Sequence, residues 1–243
     1  MGGRTIVMKF GGAAVATPAH FDRVCAIIAQ KRKHYERIAI VVSAMANTTD
    51  DLIALALEVN PHPPQREYDM LVTVGERISI SLLAMALAKH SIAAKSFTGS
   101  QSGIITTDCH TNAEILEVRP HRLEKAFEEG LVVIVAGFQG VSKNGEITTL
   151  GRGGSDTSAV AIGVAIGAEV VEFYKDVSGI FERDPKSFAD AKSFGSLDYD
   201  HALQIVNEGA CVLHSRCIEL AKSHQLPLYV CSFIEQTNGT MVK

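Results

Sequence analysis

The sequence predicts an α/β fold in which a mostly parallel sheet carries helices on both faces. Short runs of β-branched residues alternate with segments of helical spacing along the whole chain, the mark of repeated strand–helix–strand units. Residues 38–42 (Ile-Ala-Ile-Val-Val) are apolar without interruption, as a strand buried on both faces requires. Hydrophobic residues make up 47% of the 243, enough to fill a sizeable core, and 21% charged residues argue for an ordered globular chain.

The elements follow in order. Residues 5–10 read as the first strand. Thr17-Pro18 then opens a helix, with Thr17 as N-cap and Pro18 in the first turn, where a missing N–H is harmless. Phe21, Val24, Ile27 and Ile28 recur at helical spacing behind it. After the strand at 38–42, a helix starting near Thr49 carries Leu52, Ile53, Leu55 and Leu57 until the proline-rich stretch 60–64 breaks it. A long helix is expected over 68–89, and Gly75 within it points to close packing or a nearby ligand. Weaker strands fall at 93–98 and 115–118, and a helix runs from Pro120 to Gly130. Residues 131–136 form the clearest strand. A hairpin is expected around Lys143-Asn144-Gly145, because Asn-Gly supplies the positive φ angles of a tight turn. Helices are expected over 155–167, 200–208 and 215–224, and strands over 170–174 and 226–233.

Charge and cysteine usage exclude several function classes. The formal net charge is -4, and the densest basic cluster, Lys31-Arg32-Lys33, sits at the end of the first helix, where cations favour the helix dipole. No nucleic-acid partner is expected. The cysteines at 25, 109, 211, 217 and 231 are odd in number and contain no C-x-x-C, so neither a disulfide framework nor a zinc site is expected, and a reducing cytoplasm fits. No apolar run approaches the length that spans a bilayer, so no membrane partner is expected.

Open α/β sheets bind ligands at the carboxyl ends of their strands. Four segments fall at such ends: Lys9-Phe10-Gly11-Gly12, Ser43-Ala44-Met45, Gly137-Phe138-Gln139-Gly140 and Gly151-Arg152-Gly153-Gly154-Ser155-Asp156. In the first, Gly11 and Gly12 let backbone N–H groups approach phosphate oxygens, and Lys9 supplies a point charge. A tight turn with a lysine reaching to solvent would look the same, and the Walker A pattern is absent. In the last segment, glycines open into a helix N-terminus, a natural anion site, and Arg152 adds a fork suited to a carboxylate or phosphate. Asp156 suits the organisation of lysines or a Mg²⁺-linked role, with simple helix capping as the alternative for Ser155 and Asp156. Glu76 lies in a largely apolar helix, and a buried carboxylate needs a partner; a substrate ammonium group is one.

Taken together, Lys9-Phe10-Gly11-Gly12, Val41-Val42-Ser43-Ala44, Gly75-Glu76-Arg77, residues 133–140 and the run from Gly145 through Gly151-Arg152-Gly153-Gly154-Ser155-Asp156 to Ser158 resemble the aspartate kinases of the amino acid kinase family. The resemblance covers nearly the whole chain. It implies a three-layer αβα sandwich with a central mostly parallel sheet, formed by a substrate-binding lobe over about 1–150 and a nucleotide-binding lobe over about 151–243. It implies transfer of the ATP γ-phosphoryl to the β-carboxylate of L-aspartate, with Mg²⁺ accompanying ATP, no protein-borne metal site, and a homodimer. Carried over, Lys9 stabilises the transferring phosphoryl and Asp156 organises the site. Arg152 clamps the substrate α-carboxylate, Glu76 takes its ammonium, and Ser43, Thr49 and Ser155 line the pocket. Gly11, Gly12, Lys175, Asp176, Gly179, Phe181 and Lys186 hold the nucleotide.

The chain departs from the family pattern in places. Ala13-Ala14 stand where Thr-Ser is usual, Lys175 and Ser178 replace a Thr and an Asp of the nucleotide loop, and Phe181 replaces Tyr. Cys211 occupies the place of a lysine thought to bear on the phosphates; Lys175, Arg183 or Lys186 is expected to restore part of that charge. Regulatory ACT domains, which follow Gly-Thr in the family, are not expected to act through this chain, which carries Gly239-Thr240 near its end. The alternatives are a kinase of the same fold acting on another small carboxylate or phosphate acceptor, and a nucleotide-binding subunit with little turnover.

Overall fold

A computed structural model describes residues 3–183, 188, 190–210, 212–235 and 239–243. The main sheet has eight strands: β1 (Thr5–Phe10), β2 (Arg37–Val42), β3 (Ala94–Phe97), β6 (Val132–Ala136), β9 (Val170–Lys175), β10 (Ser196–Leu197), β11 (Leu228–Ser232) and β12 (Thr240–Val242). Their order is β10-β12-β11-β9-β1-β2-β6-β3, and every pairing is parallel except β11 with β12. A smaller sheet beside it holds β4 (Ile104–Thr106), β5 (Ile115–Val118), β7 (Gln139–Ser142) and β8 (Ile147–Thr149) in the order β5-β4-β7-β8.

Strand periodicity assigns the two faces. Ile6, Met8 and Phe10 of β1 point to one side, where they pack with Val24 and Ile28 of α1 (Pro18–Lys31) and Leu83 and Leu87 of α4 (Val74–Lys89). Val7 points the other way, into a second core with Leu123 of α6 (His121–Glu128), Val160 and Ile162 of α7 (Gly154–Ala165) and Ile218 of α9 (Ser215–Ser223). Helix α8 (Tyr199–Asn207) packs on α9 and adds Ala202 to this second core. The result is the expected three-layer α/β architecture. Lys9 shares the face of Val7, and Lys175 that of Phe173, so both lysines look toward α7.

Most expected elements are present within a residue or two, including α2 (Thr48–Val59). The helix expected over 68–89 is instead two helices, α3 (Gln65–Val72) and α4, meeting at Thr73. Tertiary contacts set the break, because the Thr73 carbonyl accepts a hydrogen bond from Gln139 Nε2 at 3.0 Å. The 25-residue run Gln65–Lys89 contains an 18-residue window of mean hydropathy 1.6, long and apolar enough to cross a membrane by length and composition. That corrects the expectation that no run approaches such a length. Here Glu76, Ser79, Ile80, Leu83 and Leu87 form the face of α4 that is buried in the fold.

Three local expectations change as well. Thr17 Oγ1 bonds His20 Nδ1 at 2.6 Å rather than capping a backbone N–H. In the β7–β8 hairpin only Gly145 has positive φ, 84°, and its N–H reaches the Ser142 carbonyl, so the turn is a type I turn with a glycine bulge. The short helix α5 (Gly99–Ser102) and strand β4 went unread because three or four residues cannot display a period.

Candidate functional site: a cationic centre at the switch point of the sheet

β1 lies between β2 and β9, and the chain reaches these neighbours by connections on opposite faces. The carboxyl ends of these strands therefore flank the crevice where open α/β sheets bind ligands. Lys9, 5% exposed, sits at the end of β1. Its Nζ lies 2.6 Å from Asp156 Oδ1, and Lys175 Nζ, at the end of β9, donates to Asp156 Oδ2 at 3.0 Å. Asp156 stands in the first turn of α7, directly beneath both strands.

The electrostatics follow from this packing. Burial pushes the Asp156 carboxyl up, but the charges and hydrogen bonds of Lys9 and Lys175 outweigh it and hold the group down at about 2. Lys9 is lowered, by burial first and by the like charge of Lys175, with Asp156 pulling the other way. Two ammonium groups share one carboxylate, so the centre carries a net positive charge in a dry setting, where it acts strongly on an anion.

Glu76 enters the same region from α4. It is 2% exposed; Oε1 accepts the Ala44 N–H at 3.0 Å, while Oε2 has no hydrogen-bond partner among the described residues. Burial pushes its carboxyl up to about 7, against the Ala44 N–H, its own backbone N–H and the charge of Lys9. Gly75 makes this approach possible, since a Cβ there would stand 2.7 Å from the Ala44 Cβ.

The loop before α7 is held from two sides. Asp69 of α3, fully buried, accepts from His110 Nδ1, the Thr111 N–H, and both the N–H and hydroxyl of Thr149. On the other side Arg216 Nη2 donates to the carbonyls of Leu150 and Arg152. Arg152 itself is exposed, and among the described residues no carboxylate is in ion-pair contact with it. Phe138, beyond the end of β6, holds a φ of 68°, and Ala46, beyond β2, one of 41°. Left-handed backbone at non-glycine residues costs on the order of 1–3 kcal/mol and gathers at functional sites.

The sequence model of the amino acid kinase family matches residues 4–232. The chain belongs to that family. It is 49% identical over 238 residues to an aspartokinase of Mycobacterium tuberculosis, covering 98% of this chain and 56% of that protein. The aspartate kinase structure from Synechocystis is similar with a TM-score of 0.86 and 43% identity, over 98% of this chain and 39% of that one. E. coli aspartokinase III, in a complex with aspartate and ADP, is similar with a TM-score of 0.89 and 27% identity, over 98% of this chain and 64% of that one. The chain thus spans little more than half the length of the curated relatives it matches.

Within this member of the amino acid kinase family, direct contact joins Lys9, Asp156 and Lys175. A Cβ on Gly11 would lie 3.7 Å from Lys9 Nζ, and Ser155 packs against Gly137. Ser43 and Thr49 are half-buried, Ser43 just beyond β2 and Thr49 in the first turn of α2. Gly12 lies beside the Ala44 carbonyl. Asp176 is exposed beyond β9. Gly179 and Phe181 are held by Thr240 and Ser193 rather than by the cationic centre. Lys186 and Cys211 lie outside the described residues. Of the cations expected to offset Cys211, Lys175 is at the centre, whereas Arg183 is exposed and paired with Glu182 and Asp190. Sequence reasoning missed Asp69 and Arg216, and read Phe138 only as part of the strand-end segment Gly137-Phe138-Gln139-Gly140. Asp69 precedes Glu76 by two helical turns, so the argument for a buried carboxylate applied to it equally.

Proposed function

We propose that this chain carries the phosphoryl-transfer site of an aspartate kinase. A β-carboxylate oxygen of L-aspartate attacks the γ-phosphorus of ATP, the bond to the β–γ bridging oxygen breaks, and 4-phospho-L-aspartate and ADP form. What carries this reading is the buried Oε2 of Glu76, an acceptor without a donor among the described residues, near enough to Lys9 to feel its charge. A substrate ammonium would satisfy that oxygen, and Arg152 would take the α-carboxylate in a fork.

Lys9 and Lys175 stabilise charge on the transferring phosphoryl, with Asp156 fixing both ammonium groups. Gly11, Gly12, Asp176, Gly179, Phe181 and Lys186 are assigned to the nucleotide, and Ser43, Thr49 and Ser155 to the acceptor pocket. Among the described residues no cluster of three or more metal-ligating side chains occurs. Asp156 is committed to lysines, which fits a Mg²⁺ held chiefly by phosphate oxygens. Mg²⁺ neutralises charge on the phosphates when bound. The residues before about 151 are assigned to the acceptor lobe and those after it to the nucleotide lobe, in a cytoplasmic homodimer.

Incubation with MgATP, aspartate and hydroxylamine tests the assignment. Aspartate hydroxamate is expected to form in step with ADP. ATP turnover that requires another acceptor, or nucleotide binding without turnover, would overturn the aspartate reading.

A further inference from the structure

We propose that Arg216 is a positioning residue for the acceptor: anchored on α9, its guanidinium fixes the loop that presents Arg152. This rests on the reading of Arg152 as the clamp on the acceptor's α-carboxylate. Arg216 Nη2 donates to the Leu150 carbonyl at 2.7 Å and to the Arg152 carbonyl at 3.1 Å, spanning Gly151 between them. Among the described residues no carboxylate is in ion-pair contact with Arg216, and its guanidinium meets these carbonyls instead. The base of the side chain is itself fixed, because the Arg216 N–H reaches Nδ1 of His214, the N-cap of α9, at 3.4 Å. The His214 ring walls the loop: a Cβ on Gly153, whose φ is 73°, would stand 2.3 Å from His214 Cγ.

The loop needs such fixtures. Gly151, Gly153 and Gly154 surround Arg152, and glycine backbone is free to wander unless held. Asp69 holds the upstream end through Thr149, and Arg216 holds the segment that bears the clamp. One nitrogen of the guanidinium, Nη2, reaches both the Leu150 and the Arg152 carbonyl, and the rigid planar head holds that nitrogen in place, where an ammonium on a flexible stem is a point donor. Loss of Arg216 therefore leaves the Arg152 side chain in place chemically but poorly aimed, and misplacement on the scale of 1 Å costs up to about a hundredfold.

The test compares Arg216→Met and Arg216→Lys with the wild-type chain in the hydroxamate assay, together with hydrogen exchange of peptides covering residues 149–154. Arg216→Met is expected to raise KM for aspartate by about tenfold or more, leave KM for ATP within about twofold, and speed exchange in that segment alone. Arg216→Lys is expected to fall between. Unchanged aspartate KM with unchanged exchange would overturn the proposal, as would parallel rises in both KM values with Arg216→Lys no better than Arg216→Met. If the wild-type chain forms no aspartate hydroxamate, the acceptor assignment has failed instead, and exchange decides: faster exchange at 149–154 supports the anchoring role, and no change overturns it.

Discussion

A carboxylate buried beside a lysine and left with one bare oxygen is an unstable arrangement unless something completes it, and Glu76 is such a group. Its ordinary pKa of 4.5 is raised to about 7 by burial. Between those values the folded chain holds a proton that the unfolded chain has lost, so stability falls as pH rises from about 4.5 to 7, by on the order of 3 kcal/mol in total. Acceptor binding runs the other way, because an ammonium prefers ionised Glu76. KM for aspartate is expected to fall as pH rises toward 7, by about tenfold per unit below that value, and to level off above it. Glu76→Gln should lose this dependence and become the more stable protein near pH 7 in the absence of substrate. A flat KM profile in the wild-type chain from pH 5.5 to 8 would exclude Glu76 as the ammonium partner. The positions of Lys9 and Asp156 were legible in the sequence because each falls beside glycines at the end of a readable element. The Lys175–Asp156 contact was not, since only the fold brings residues 19 apart onto one carboxylate.

Elements place these residues through close approaches that a helical or strand period does not reveal. The Glu76–Ala44 bond depends on α4 meeting the segment after β2 at Gly75. Two effects oppose each other in Gly75→Ala. Helix propensity favours Ala by up to about 1 kcal/mol, whereas a new Cβ 2.7 Å from Ala44 Cβ forces backbone movement that costs about 1–3 kcal/mol. The substitution is expected to lower the urea midpoint, and adding Ala44→Gly, which removes the obstructing atom, should recover much of the loss. Additive effects of the two changes would mean that the contact does not set the geometry. Gly75 was readable as a packing site, but the break at Thr73 was not, because its cause is the side chain of Gln139, 66 residues away. The strand–helix alternation was legible almost throughout, since the inner strands β1, β2, β6 and β9 bury apolar residues on both faces. β10 and β12 were missed because two or three residues carry no such signal.

At the scale of the whole molecule, one surface is left apolar. Met70, Val74, Ile78, Leu82 and Met85 follow one another at three- and four-residue steps along α3 and α4 and are all exposed, and α2, which packs on α3, adds Leu55 and Val59. The opposite side of α4 is buried in the fold, so this helix is apolar nearly all round, the reason Gln65–Lys89 passes for a membrane span. A contiguous stripe of this kind marks an interaction surface. A two-fold dimer would pair the stripe with itself, which suits the homodimer proposed above, because a self-complementary contact needs only one such patch. Stable association asks for roughly 800 Å² per partner, within reach of two helices and a flanking third. The chain is therefore expected to sediment as a dimer at micromolar concentration, and Ile78→Glu with Met85→Glu to convert it to a monomer of unchanged circular dichroism. A wild-type monomer, or a dimer indifferent to both charges, would place the subunit contact elsewhere. Since α4 carries Glu76 on its buried side two residues before Ile78, the same pair of variants should raise KM for aspartate if dimerisation helps to hold that helix in register, and leave it unaltered if the helix is fixed by the sheet alone.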